Sequence, residues 1–112
     1  MPEPIIDTAT FSALGEMAGA EFVKELVDTF LEEAPRMLAD IHEAYEQRDA
    51  DRFRRAAHSL KSNSNTFGAM RLGAAAKELE LEGLEATGPS KLDALDAEYA
   101  RAATALRALC DG

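Results

Sequence analysis

The fold is decided by the stretch Arg52–Gly68, which reads RFRRAAHSLKSNSNTFG. Placed on a helix at about 100° per residue, its apolar side chains recur every three or four positions and share one face. Such a seam is typical of a helix that packs against other helices. The polar side chains fall on another face, roughly 130° away, and are offered to solvent or to a partner. The seam comprises Phe53, Ala57, Leu60, Ser64 and Phe67, with Ala56 at its edge, and the polar face carries Arg54, His58, Lys61, Ser62 and Asn65.

His58 is the residue of this polar face that points to chemistry. An exposed histidine is most often a solvated side chain, but the surroundings of His58 are unusual. Lys61 and Ser62 follow it by one helical turn, close enough to share a small anionic group with the ring. No carboxylate lies within one turn of His58 in the sequence, and Arg54, Arg55 and Lys61 make the segment locally cationic. A positive region around a histidine is what a transient phosphoryl group requires.

The run HSLKSNSNTFG resembles the signature of histidine phosphotransfer (HPt) domains, the relay modules of bacterial and fungal phosphorelays. That signature is a histidine, any residue, Leu-Lys-Gly, any residue, a small residue, and a glycine that ends the helix. His58, Leu60, Lys61, Ser64 and Gly68 match it, and Ser62 departs from it, standing where the family most often has glycine. The resemblance covers Asp49 to Glu80 well and Phe30 to Asp49 moderately.

The resemblance implies a function and a set of site residues. A neutral imidazole of His58 would accept a phosphoryl group and exchange it with the aspartate of a receiver domain, in a response regulator or a hybrid sensor histidine kinase. Lys61 would stabilise the charge on the phosphoryl oxygens. Mg²⁺ would belong to the receiver, so no cofactor and no metal site is expected in this chain. The residues expected to dock the partner around the site are Arg54, Arg55, Ser62 and Asn65.

Composition and charge limit the possible classes of protein. A chain of 112 residues, 46% apolar but only 6% aromatic, predicts one helical domain over residues 1–112. The net charge of −9 argues against nucleic acid and anionic membranes as partners. The single cysteine, Cys110, supports neither a disulfide nor a metal cluster. Because there is no signal-like start and no run of transmembrane length, we expect a cytoplasmic protein, and we expect a monomer.

Amphipathic periodicity predicts five helices joined by short turns. Four of them can bury their apolar stripes only by packing antiparallel, so the predicted fold is an all-α, up-down-up-down four-helix bundle. A short N-terminal helix should lie over one end of it, after a loose lead-in at residues 1–6. Pro35 interrupts the long second helix, yet the apolar phase continues across it, which favours one bent helix. The predicted helices are 8–14, 20–47, 50–67, 69–86 and 91–109.

Helix-capping residues set these boundaries. Asp7 and Asp49 are predicted N-caps, and Ser90 with Asp93 resembles a capping box. Gly15 and Gly68 are predicted to end their helices.

Two polar residues outside the polar face are not expected to take part in chemistry. Ser64 is small enough for close helix packing and can bond back to its own helix. His42 lies among acidic residues and is interpreted as a solvated side chain.

Two other classes of protein are alternatives to a phosphorelay carrier. A metal-binding bundle would need inward Glu-x-x-His pairs, which the sequence lacks, and the chain has only two histidines. A helical adaptor, or a degenerate HPt-like bundle that binds a receiver without being phosphorylated, stays open because of Ser62. The chain has no Gly-rich nucleotide loop and no acidic metal-binding cluster, so it is not expected to be an enzyme that phosphorylates itself from ATP.

Overall fold

A computed structural model describes residues 4–111 of the chain, and over these residues it forms five α-helices and no β-strand. The first three residues of the predicted lead-in, and Gly112, lie outside the described part. The helices are α1 (Thr8–Ala18), α2 (Ala20–Gln47), α3 (Ala50–Thr66), α4 (Met70–Glu82) and α5 (Pro89–Asp111), and a short 3-10 turn (Leu84–Ala86) follows α4.

Helices α2 to α5 form an antiparallel four-helix bundle, which confirms the predicted fold. In it, α3 packs against α2 and α4, and α5 closes the bundle by packing against α4 and α2. Helix α1 packs on α2 and α3. The interior is filled by the apolar seams read from the sequence. Its largest fully buried side chains are Phe53, Ile41, Leu60, Leu72, Leu79, Leu95, Leu106 and Val27.

Helix α2 runs unbroken through Pro35, as the continuous apolar phase predicted. Proline has no N–H, so it cannot donate a helical hydrogen bond to the carbonyl oxygen of Leu31. The hydroxyl of Tyr99 on α5 donates to that carbonyl instead, at 3.4 Å. Burial raises the pKa of the Tyr99 phenol, which keeps the hydroxyl protonated and able to donate. A neighbouring helix thus satisfies the group that the proline leaves free.

Helix α3, which carries His58, has the predicted ends. The side chain of Asp49 accepts a hydrogen bond from the backbone N–H of Arg52 at 3.1 Å and caps the first turn. At the other end Gly68 takes a φ of +80°, where a side chain would be strained. Ser64 is fully buried in the seam, and its hydroxyl donates to the Leu60 carbonyl at 2.6 Å. The back-bonding predicted for Ser64 is confirmed.

The predicted end of α1 at Gly15 is wrong, because the helix continues to Ala18. Gly15 keeps a helical conformation, and a side chain added there would meet open space. The helix ends instead at Gly19, which has a φ of +89° and donates its N–H to the Gly15 carbonyl. Before α1, the N–H of Asp7 donates to the carbonyl of Gly68 at 2.7 Å, which ties the start of α1 to the end of α3.

The predicted boundary between the last two helices also needs correction. Helix α4 ends at Glu82 because Gly83 takes a φ of +81°, and the 3-10 turn occupies the rest of the predicted helix. Helix α5 begins at Pro89, two residues before the predicted start. Proline suits the first turn of a helix, where its missing N–H has no intrahelical partner to lose. At the far end of the α5 seam, Leu109 is exposed rather than buried.

Candidate functional site

His58 lies near the middle of α3 with 56% of its side chain exposed, in agreement with the expected solvent-facing position. Its Nδ1 atom is 2.6 Å from Oε2 of Glu80, on the neighbouring helix α4. A carboxylate only accepts hydrogen bonds, so the ring nitrogen facing it carries the proton. In the neutral ring, Nε2 is then the nitrogen with a free lone pair.

Glu80 bridges His58 and Lys61. Its other oxygen, Oε1, accepts a hydrogen bond from Nζ of Lys61 at 2.7 Å. The hydrogen bond from Lys61, and less strongly the one from His58, lower the pKa of Glu80 below its ordinary value of 4.5, although burial acts in the opposite direction. The carboxylate is therefore ionised at neutral pH. Its two oxygens hold the imidazole ring and the ammonium group next to each other.

The structure adds to one sequence-based expectation about the charges and corrects another. His58 and Lys61 share an anionic group, the Glu80 carboxylate of α4. Lys61 is also not on a fully exposed face, because only 23% of its side chain is accessible.

The arginines near the site are also paired. Asp51 holds both of them, with Nη2 of Arg54 at 2.9 Å and Nε of Arg55 at 3.2 Å from its two oxygens. The cationic character predicted for the segment is thus largely balanced by two carboxylates, those of Asp51 and Glu80.

The four residues predicted to dock a partner have different surroundings in the structure. Arg54 and Arg55 line an open cleft of about 390 Å³ beside His58, together with Ser59 and Glu80. Ser62 is exposed on the next turn of α3.

Asn65 is different, because its side chain lies over Gly73 of α4, where an added Cβ would overlap it. Asn65 therefore contributes to the close approach of α3 and α4.

His42 is not the freely solvated residue that the sequence suggested. Its Nε2 lies 2.9 Å from a carboxylate oxygen of Asp96, on α5. The pair joins α2 to α5, two helices that pack against each other. The acidic neighbours of His42 along its own helix gave no sign of this partner, because the partner comes from 54 residues further along the chain.

Glu80 is the site residue that the sequence analysis missed. It is 22 residues from His58, beyond any local pattern. The short turn at Ala69 did contain a signal, since residues at equal distances on either side of a tight turn face each other in an antiparallel helix pair. His58 and Glu80 are placed symmetrically about Ala69, and so are Asn65 and Gly73. Counting outward from the turn would have paired them.

Within residues 4–111, no three or more His, Cys, Asp or Glu side chains are grouped so that they could hold a metal ion. None of the helices in that part of the chain has the length and apolar character needed to span a membrane.

Comparison with known proteins identifies the family. The model of the Hpt domain family matches residues 25–105, and the chain therefore belongs to the HPt domain family. Among solved structures it is similar to the crystal structure of histidine-containing phosphotransfer protein B (HptB) from Pseudomonas aeruginosa PAO1. The sequences are 25% identical, the match covers 98% of this chain and 97% of that chain, and the TM-score is 0.89. A search of curated proteins found no match.

The protein is accordingly a histidine phosphotransfer protein of a phosphorelay. Proteins of this class carry a phosphoryl group and are not kinases, and they interact with receiver domains of response regulators and with kinases. The alternative of a helical adaptor that is never phosphorylated is not favoured by these matches.

Proposed function

We propose that His58 is the phosphorylated residue and that it relays a phosphoryl group to and from the aspartate of a receiver domain. The receiver would belong to a response regulator or to a hybrid sensor histidine kinase. The observation that carries the proposal is the hydrogen bond between Nδ1 of the exposed His58 ring and Glu80. It selects the tautomer in which Nε2 is the nucleophile. His42 presents the opposite arrangement, because its Nε2 is the nitrogen bound to a carboxylate.

The transfer step follows from this geometry. Nε2 attacks the phosphorus in line, the P–N bond forms, and the P–O bond to the receiver aspartate breaks, which returns that aspartate as a carboxylate. The proton on Nδ1 stays in place, and Glu80 balances the positive charge that the ring acquires. Lys61 is bonded to the same carboxylate and can turn its ammonium group toward the phosphoryl oxygens as charge builds on them. The reverse sequence returns the phosphoryl group to the receiver.

The proposal extends to the oligomeric state, the location and the partners of the protein. The chain acts as a carrier without a nucleotide site of its own, as a monomer, in the cytoplasm. It needs no cofactor, because the Mg²⁺ used in the reaction belongs to the receiver. Net negative charge disfavours nucleic acid and anionic membranes as partners. Arg54, Arg55 and Ser62 form the surface that the receiver meets, and Asn65 lies at its edge.

Substitution of each histidine tests the assignment of His58. The phosphoryl group of a phosphorylated receiver should label the wild-type protein and the His42→Gln variant equally, with an acid-labile, base-stable bond. The His58→Gln variant should acquire no label. Glutamine keeps a similar size and polarity, so circular dichroism should show both variants folded. Labelling of His58→Gln with loss of labelling in His42→Gln would show that the assignment is wrong.

A further inference from the structure

The cleft beside His58 lies toward the preceding turn of α3, which carries Arg54 and Arg55. It is lined by Arg54, Arg55, His58, Ser59 and Glu80, and Lys61 does not border it. Helical side chains lean toward the N-terminus of their helix, so the ring of His58 covers the turn that carries the two arginines. A group attached to the ring on this side would meet guanidinium groups first.

The two arginines are less firmly held than Lys61. The side chains of Arg54 and Arg55 are 57% and 69% exposed, and both bind a single aspartate that is itself exposed. Ion pairs between exposed side chains are weak and exchange readily with other anions. Lys61, in contrast, is mostly covered and bonded to a carboxylate that is only 14% exposed.

The charges of the cleft fit a phosphoryl group. The negative charge of Glu80 is shared by Lys61, at 2.7 Å, and the His58 ring, at 2.6 Å, so it does not offset the charge of the arginines. Two arginines against the single Asp51 leave one positive charge, and release of Asp51 makes a second available for the dianionic phosphoryl group. Guanidinium groups bind phosphoryl oxygens through two parallel hydrogen bonds, which gives orientation as well as attraction.

We propose that Arg54 and Arg55 bind the phosphoryl oxygens of phosphorylated His58, and that Asp51 is the counter-ion they release when they do so. This inference rests on the proposed phosphorylation of His58. It assigns the arginines to the phosphohistidine itself rather than to docking alone. They stabilise the phosphorylated carrier between partners, and Asp51 limits that stabilisation by competing for the same guanidinium groups.

The lifetime of phosphohistidine without any receiver tests the proposal, because docking cannot affect it. The purified full chain would be phosphorylated chemically with phosphoramidate, and loss of the phosphohistidine signal would be followed by ³¹P NMR. The Arg54→Gln/Arg55→Gln double variant should lose its phosphoryl group about ten- to a hundredfold faster, the range expected when charge-assisted hydrogen bonds are lost. Asp51→Asn should lengthen the lifetime severalfold.

Matched controls separate the possible outcomes. Arg107→Gln removes an exposed positive charge on α5 and should leave the lifetime unchanged. General destabilisation cannot produce opposite effects in the arginine and Asp51 variants. The arginine site would be wrong if the phosphohistidine of the double variant lasted as long as that of wild type. It would also be wrong if the phosphohistidine of Asp51→Asn did not last longer. If the His58→Gln variant were labelled as strongly as wild type, the proposed function would be wrong instead.

Discussion

At the scale of single residues, the site depends on Glu80, a carboxylate that takes no part in bond making. It sets the tautomer of His58 and holds Lys61 through one carboxylate group. A neutral ring free of this contact would divide its proton between both nitrogens, and only one of the two tautomers could attack through Nε2. Glu80 is therefore a positioning residue, and its substitution should affect the reaction more than the fold.

We predict that Glu80→Gln slows transfer from a phosphorylated receiver about tenfold at saturating receiver, the difference between a charge-assisted and a neutral hydrogen bond. The amide can also donate to Nδ1, which stabilises the unreactive tautomer. Single-turnover kinetics would measure the rate, and ¹⁵N NMR of the ring would report the tautomer.

A neighbouring glutamate provides the control for this prediction. Glu78→Gln removes an exposed carboxylate from the same helix, where it pairs with Lys91 at 3.2 Å, and should leave transfer unchanged. An unaltered tautomer population and rate in Glu80→Gln would refute the positioning role.

Local sequence predicted roles for His58 and Lys61 but could not predict the carboxylate that both of them contact. The motif places both residues on one turn of one helix, where spacing alone brings them together. Glu80 and Asp96 reach their histidines from other helices, so finding them requires the register of a helix pair. The resemblance to a family predicted that the histidine carries a phosphoryl group, and the packing of α3 on α4 showed which carboxylate contacts the ring.

At the scale of secondary-structure elements, residues with a positive φ mark the helix ends: glycines after α1, α3 and α4, and Arg48 after α2. The apolar periodicity of α2 and α3 was strong enough to predict their extent, including the passage of α2 through Pro35. It could not tell which of two glycines ends α1, because both Gly15 and Gly19 are compatible with a helix end. The choice is visible only in the backbone, where Gly19 takes a positive φ.

This difference gives a prediction for a matched pair of variants. Gly15→Ala should stabilise the protein by about 0.5–1 kcal/mol, because alanine is the better residue inside a helix. Gly19→Ala should destabilise it by about 1–3 kcal/mol, because Gly19 has φ 89° and ψ 147°, a region that residues with a side chain rarely adopt. Both sites face open space, so steric overlap does not contribute to either value. Urea denaturation would measure the two changes, and equal signs would contradict the assigned end of α1.

At the scale of the whole molecule, the fold could be predicted because four amphipathic stripes on one short chain have few ways to be buried together. The ion pairs between helices were not predicted, since they depend on the register of each helix pair, which the sequence signals only where a tight turn joins the two helices. One of these ion pairs makes stability depend on pH. The pKa of Glu80 is lowered in the folded protein, mainly by Lys61, so its contribution to stability is fully present above about pH 4.5 and is lost as pH falls through the lower folded value.

We therefore predict that wild type is more stable than Glu80→Gln at pH 7, and that the difference disappears on acidification well below pH 4.5. At low pH, Glu80 is protonated in wild type and resembles the neutral amide of the variant. Urea midpoints of both proteins between pH 3 and pH 7 would test this. Comparison with the variant cancels the titration of other carboxylates, and a constant difference across the range would contradict the prediction.

The hydrogen bond from the Asp7 amide to the Gly68 carbonyl has a consequence for the motions of the molecule. An amide that precedes the first turn of a helix has no acceptor within that helix and normally exchanges its hydrogen with water rapidly. Here the acceptor belongs to the glycine that ends the histidine-bearing helix, so this amide can open only when that junction opens. Deuterium uptake at Asp7 would then be slow, and it would report the integrity of the C-terminal end of α3 from a position outside the bundle.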